Sequence, residues 1–147
     1  MSVNYRLIHT SPERVFDVLA NGWLYPSWVV GASRMRDVDD CWPTEGSRLF
    51  HSFGVWPFLL NDSTSVLEWD PPRRMKVRAR GWPIGEAHVT LDVKRRGDDC
   101  VVRIGEDAVS GPGRYIPEPV RRVMLHARNT ETLQRLAFLA EGGATAN

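Results

Sequence analysis

The residue best suited to chemistry is Glu106. In Val102-Arg103-Ile104-Gly105-Glu106-Asp107-Ala108, a strand would turn Val102, Ile104 and Ala108 to one side, and Glu106 falls in phase with them. An ionised carboxylate on an apolar face loses several kcal/mol of hydration, so it must be paired, wetted or raised in pKa. Such a group serves either as a general acid or base near neutral pH or as an internal ion-pair or hydrogen-bond partner. The spacing supports both uses.

Five other residues could contribute polar contacts. Asn129 falls inside an otherwise apolar helical stripe, where its amide would orient a carbonyl or hydroxyl, or hold a backbone group of an adjoining loop. His51, in Leu49-Phe50-His51-Ser52-Phe53, faces inward with Leu49 and Phe53 or outward while Phe50 faces in; aromatic residues on both phases leave the choice open. The hydroxyls of Ser63, Thr64 and Ser65 lie on a predicted strand, where alternate ones reach a pocket and bind ligand oxygens without a covalent role. The six tryptophans, Trp23, Trp28, Trp42, Trp56, Trp69 and Trp82, either plug sheet ends and loops or line a pocket. Trp28, Trp69 and Trp82, with Phe50, His51, Glu106, Leu125, Asn129 and Leu133, form the candidate lining of a site for a small hydrophobic or aromatic ligand.

Other chemistries lack their residues. The sequence contains no HExxH or CxxC, and no two histidines close enough on one predicted face to hold a metal, so neither a metal nor another cofactor is expected. The glycines of Gly81-Trp82-Pro83-Ile84-Gly85 and Gly111-Pro112-Gly113-Arg114 mark turns and do not cradle phosphate. No nucleophile elbow is present.

These residues need a scaffold, and the periodicity supplies one. Val3 to His9 alternates as a strand and stops at Thr10-Ser11-Pro12-Glu13, where Ser11 caps a helix ahead of Pro12, or Thr10 and Glu13 form a capping box. Val15, Phe16, Val18 and Leu19 recur at helical spacing as far as Asn21-Gly22, and a second short helix covers Trp23 to Trp28. Strands then follow at Ala32–Val38, Gly46–Phe53, Ser63–Trp69, Met75–Arg80, Glu86–Lys94 and Cys100–Val109. Met75, Val77 and Ala79 share a face with Ala87, Val89, Leu91 and Val93 only if the connecting loop has an odd number of residues, such as Trp82-Pro83-Ile84. On the wet face, Lys76, Arg78 and Arg80 then meet Glu86 and Asp92 as cross-strand pairs.

The segment Pro117–Glu141 reads as a helix about 37 Å long at a rise of 1.5 Å per residue. Leu125, Asn129, Leu133, Leu136 and Ala140 form its sheet-facing stripe, while Val120, Val123 and Ala127 lie on the opposite side and need other cover: the short helices, a cavity mouth or another subunit. The expected fold is α+β, with a curved antiparallel sheet of about seven strands wrapped around a long C-terminal helix and two short helices between the first and second strands.

This order resembles the START-like, or SRPBCC, superfamily with its helix-grip fold, and within it the bacterial polyketide cyclase/dehydrase branch. The likeness is carried by Ser11-Pro12-Glu13-Arg14-Val15-Phe16-Asp17-Val18-Leu19, by Trp42-Pro43 with Gly46, by Pro71-Pro72-Arg73-Arg74-Met75, by Glu106 ahead of Gly111-Pro112, and by Arg128-Asn129 followed by Leu133 and Leu136. The resemblance implies an internal cavity for a polyketide- or lipid-like ligand. It also implies a cyclase or dehydratase alternative, in which Glu106 moves protons while Asn129 or a pocket hydroxyl polarises a carbonyl. A weaker implication is a protein-interaction module like the superfamily's chaperone regulators, using the Val120, Val123 and Ala127 face.

Composition sets the outer limits. A chain of 147 residues fits one domain, taken here as 1–147. Nineteen basic and 18 acidic residues leave a net charge of +1, with no like-sign run beyond three, which argues against a nucleic-acid or membrane-surface patch. No apolar stretch approaches the roughly 18 residues that span a bilayer, and the longest, Val55 to Leu60, contains Pro57. Met1-Ser2-Val3-Asn4-Tyr5-Arg6 lacks the layout of a secretion signal, so a cytoplasmic location is expected, with Cys41 and Cys100 as free thiols. The expected partner is a small hydrophobic molecule, and a homodimer is compatible with the sequence.

Overall fold

The computed structural model describes residues 2–30, 32–53, 60–81, 85–110 and 117–142. Strand β1 (Ser2–Ile8) leads into α1 (Pro12–Ala20), a 3-10 turn (Gly22–Leu24) and α2 (Tyr25–Trp28). Six strands follow: β2 (Ala32–Val38), β3 (Arg48–Phe53), β4 (Leu60–Asp70), β5 (Arg74–Gly81), β6 (Gly85–Arg96) and β7 (Asp99–Ser110). The long helix α3 (Glu118–Glu141) comes last. All seven strands form one antiparallel sheet in the order β1-β7-β6-β5-β4-β3-β2.

Local chemistry explains the helical entry. Ser11 is extended and its side chain accepts from the Arg14 backbone N–H, with Pro12 in the first turn, so the single cap forms. Asn21 ends α1, and its side-chain oxygen accepts from the Trp23 N–H to start the 3-10 turn. Between them the chain passes under β3 at Gly22, where a Cβ would lie 2.6 Å from Leu49 Cδ2 and 2.8 Å from Val38 Cγ1. Leu49 is fully buried, so it has nowhere to retreat. Gly22→Ala should therefore cost about 1–3 kcal/mol in a urea unfolding curve, although alanine is the better helix former.

The β5–β6 ladder has the register that alternation demanded. Met75 faces Leu91, Val77 faces Val89, Ala79 faces Ala87, and Gly81 faces Gly85 across the connection at 82–84. The outer face carries Arg80 and Arg78 each 3.8 Å from Glu86, and Asp92 within 3.5 Å of Arg74 and 3.4 Å of Arg103. These exposed pairs fix register more than they stabilise. Gly97 adopts φ +64 in the tight turn between β6 and β7, a conformation in which glycine is unstrained. β3 begins at Arg48 instead of Gly46, because Gly46 sits in a turn at φ +86. β4 begins at Leu60, three residues before the expected Ser63, because Leu60, Asn61 and Asp62 pair with Phe53, Ser52 and His51.

The concave face divides into two ends. At one, Met75, Leu91, Val93, Val102 and Ile104 are buried beneath α1 and the C-terminal half of α3, where Leu133, Leu136, Ala137 and Ala140 are also buried. Each large side chain buried there contributes about 1.5–3 kcal/mol. At the other end, the concave positions are small or polar: Ala79, Ala87, Thr64, His51 and Glu106. α3 packs on β1, β7, α1 and α2, and is tied to β1 by Asn4. The Asn4 side-chain amide donates to the His126 carbonyl (3.2 Å) and to Thr130 Oγ1 (2.9 Å), and lies 3.1 Å from His126 Nδ1. Toward its N-terminus α3 loses cover. Leu125 is only half-buried, and Val120, Val123 and Ala127 on the far side are exposed.

Candidate functional site

A buried cluster of ring and hydroxyl groups occupies the second end of the concave face. Tyr25 stacks on His51 (centroids 5.3 Å apart, planes at 19°) and meets Trp28 edge-on (5.4 Å, 75°). Thr64 Oγ1 lies 2.9 Å from the Tyr25 hydroxyl and 2.8 Å from His51 Nε2. A threonine hydroxyl has one proton and two lone pairs, so Thr64 can bond both neighbours at once. Burial pushes the Tyr25 phenol up to about 12, against the opposing effects of the Thr64 hydrogen bond and the Arg128 charge. Burial also pushes His51 down to about 4, with Asp62 acting in the opposite sense and Arg36 reinforcing the shift. At neutral pH both rings are therefore uncharged, and the cluster offers hydrogen bonds without net charge.

Beside it, the guanidinium of Arg128 grips both carboxylate oxygens of Glu106. The Tyr25 phenol feels both charges, Arg128 lowering its pKa and Glu106 raising it. Glu106 reaches the pair from β7, in a row with Val89, Val77 and Val66, while Arg128 reaches it from α3. Asn129, the next residue on α3, is buried, and its side-chain nitrogen has no hydrogen-bond partner among the described residues. A buried donor left unmatched costs about 1–3 kcal/mol. Around these groups, Ala79, Ala87, Val89 and Leu125 are only half-buried, although they lie on the inner surfaces of sheet and helix. Among the described residues, no three His, Cys, Asp or Glu side chains converge to hold a metal ion, and no helix is long and apolar enough to cross a membrane.

Residues 3–141 match the family described as polyketide cyclase / dehydrase and lipid transport. The chain belongs to that family. None of the curated proteins matches it. Solved structures share the fold at low identity. Protein NE0264 from Nitrosomonas europaea is 14% identical, with a TM-score of 0.72 over 95% of this chain and 93% of the other. The di-domain ARO/CYC StfQ from the steffimycin biosynthetic pathway is 10% identical with the same TM-score, over 95% of this chain and 50% of StfQ. Ara h 8.0201 is 7% identical at a TM-score of 0.70, over 95% of this chain and 96% of the other. The helix-grip architecture expected from the sequence is thus the one observed, and the family supports a ligand-binding fold.

Within this polyketide cyclase/dehydrase-family domain, the candidate residues do not all converge. Trp28 and His51 meet through Tyr25, Glu106 pairs with Arg128 of α3, and on the same helix Asn129 is buried and Leu125 half-buried. His51 is fully buried on the same side as Leu49, which settles its facing. Phe50 consequently points to the outer face, 5.1 Å from the Arg48 guanidinium and 5.9 Å from that of Arg36, and is corrected from a lining to a surface residue. Trp69 is also corrected: it pairs with Met75 at the packed end and tilts against Phe16 on α1 at 5.2 Å. Leu133 is core, almost fully buried. Trp82, like Trp56, lies outside the described residues. Trp42 donates its indole N–H to the Leu19 carbonyl, and Trp23 is exposed, so these two serve loop packing and surface.

Two residues of the site carried no clear signal in the periodicity of the sequence. Tyr25 sits before Pro26 in a helix of four residues, too short for periodicity to reveal its facing. Arg128 lies 100° around α3 from Asn129 and so falls at the margin of the apolar stripe. The inward acid at Glu106 was itself the available clue, because a buried carboxylate demands a cation.

Proposed function

We propose that this domain binds a small hydrophobic, ring-containing molecule between the N-terminal half of α3 and the Ala79, Ala87 and Val89 end of the concave sheet. The observation that carries the reading is the half-burial of these inner-face residues, while their strand neighbours Val77 and Leu91 are buried. Small side chains leave room there, and the uncharged Tyr25–Thr64–His51 cluster supplies orienting hydrogen bonds in an otherwise apolar surface, the usual composition of a small-molecule site. Family membership points the same way. Titration with N-phenyl-1-naphthylamine should saturate and quench tryptophan fluorescence. Ala79→Phe, which fills the space, should weaken binding at least about tenfold. Absence of saturable binding, or unchanged binding by the Phe variant, overturns the assignment.

A catalytic reading ranks second. It is favoured by the family match, and StfQ is described as an ARO/CYC protein of a biosynthetic pathway. In this reading Glu106 would transfer protons during aldol-type closure or dehydration. It ranks second because the ion pair with Arg128 already accounts for the buried Glu106 without a catalytic use. Cyclisation unaffected by Glu106→Gln would remove it. A cytoplasmic location, suited to the free thiols of Cys41 and Cys100, belongs to the same proposal and is checked by fractionation.

A further inference from the structure

We infer that the Glu106–Arg128 ion pair is the floor of the binding space and limits the length of its occupant: compact ring compounds and chains of up to about ten extended carbons are taken whole, and long-chain lipids are not. The inference rests on the binding reading above and sets the size class that this space admits.

The pair is a strut across the grip. Glu106 stands on the concave sheet in one row with Val89, Val77 and Val66, and Arg128 comes from α3, so their contact fills the gap between sheet and helix at that row. On one side of the strut nothing can enter: Met75, Leu91, Ile104, Leu133 and Leu136 are at most 2% exposed and packed together. On the other side Val89, Ala87, Ala79 and Leu125 are half-buried. The boundary between the filled and the loosely covered parts of the interior therefore coincides with the ion pair.

The direction of α3 gives the space its length. β1 is antiparallel to β7 and β7 to β6, so β1 and β6 run the same way. α3 meets β1 first at Asn4, through His126 and Thr130, and later at His9, whose backbone N–H donates to the Glu141 carboxylate at 3.3 Å. The helix thus runs along β6, with its first turns toward Gly85 and its last turns over the packed end. From Val89 back to Gly85 is four residues, about 13 Å at the rise of a strand. On α3, Leu125 shares its face with Arg122 and Glu118, which pair at 2.7 Å with their side chains 66% and 60% exposed, so water begins there. From Arg128 back to Arg122 is six residues, about 9 Å at the helical rise. An extended chain advances about 1.25 Å per carbon for a C–C bond of about 1.52 Å at an angle of about 111°, so these lengths hold about seven to ten carbons.

The test uses the full chain, with straight primary alcohols from hexanol to tetradecanol, each below its solubility limit, displacing N-phenyl-1-naphthylamine. Affinity should rise about fourfold per added methylene and stop rising at about seven to ten carbons. Glu106→Ala with Arg128→Ala removes the strut without stranding a charge and should carry the rise at least about two carbons further. If that variant does not fold, Val89→Phe makes the converse comparison, raising the floor and ending the rise about two carbons sooner. A rise that continues to tetradecanol in the wild type, or a limit that neither variant moves, overturns the inference. When the probe binds but no alcohol displaces it, this inference fails and the container stands; when the probe itself does not bind, both fail.

Discussion

Arg128→Met should lower the unfolding free energy by about 3–5 kcal/mol, the usual cost of leaving a buried charge without its partner. In a domain of this size that corresponds to a melting temperature lower by roughly 10 °C. The effect should be asymmetric. The Glu106 side chain is 7% exposed and that of Arg128 is 31% exposed, so a stranded carboxylate stays in the interior while a stranded guanidinium can turn to water. Glu106→Gln should therefore cost much less than Arg128→Met. Restoring neutrality in the double variant Glu106→Gln with Arg128→Met should recover most of the loss, as expected where two charges are coupled. Urea unfolding of the four proteins measures the cycle. If Arg128→Met is as stable as the wild type, the ion pair does not bind α3 to β7.

The second large effect is acid lability centred on His51. The folded protein holds this ring at about 4, whereas an unfolded chain restores it to about 6.5. Between those values the unfolded chain takes up a proton that the folded chain refuses, so acid favours unfolding. The associated stability is fully present above about pH 6.5, falls as pH drops through the window, and is gone below about pH 4; its size is on the order of 3 kcal/mol. Titrating carboxylates add their own slopes, so the informative quantity is the difference from His51→Gln, which keeps an amide near Thr64 but does not titrate. That difference should shrink steadily from neutral pH to pH about 4. A constant difference would mean that His51 is protonated equally in both states.

The sheet could be anticipated residue by residue because it obeys a period of two under a simple constraint. Apolar side chains at Met75, Val77, Leu91 and Val93 must share a face, and only an odd connection permits it. The apolar stripe of α3 was equally plain, since Leu133, Leu136 and Ala140 repeat at helical spacing and all are buried. Where two phases carried the same kind of residue, pattern had nothing to work with. Phe50 and His51 are both flat and partly apolar, and only the neighbouring strands decide that His51 faces Tyr25 while Phe50 lies among arginines. The early start of β4 was hidden because Asn61 and Asp62 have the chemistry of a turn, yet ladder bonds to β3 override that local preference. The site was half legible for a related reason: its polar groups on long elements stood out against an apolar rhythm, whereas Tyr25 came from a segment with no rhythm to break.

The strand order has a consequence for how the molecule is made. β2 to β6 are each paired with the strand that follows, so hairpins can close soon after their residues leave the ribosome. β1 is the exception, since its partner is β7, with Ile8 opposite Cys100 and Ser2 opposite Glu106, roughly a hundred residues later. Asn4 then waits longer still for His126 and Thr130. During synthesis β1 must remain unpaired until the rest of the sheet exists, with Tyr5 and Leu7 as its apolar burden. The first strand to be synthesised is the last to be joined to the sheet, and its joining closes the grip on α3.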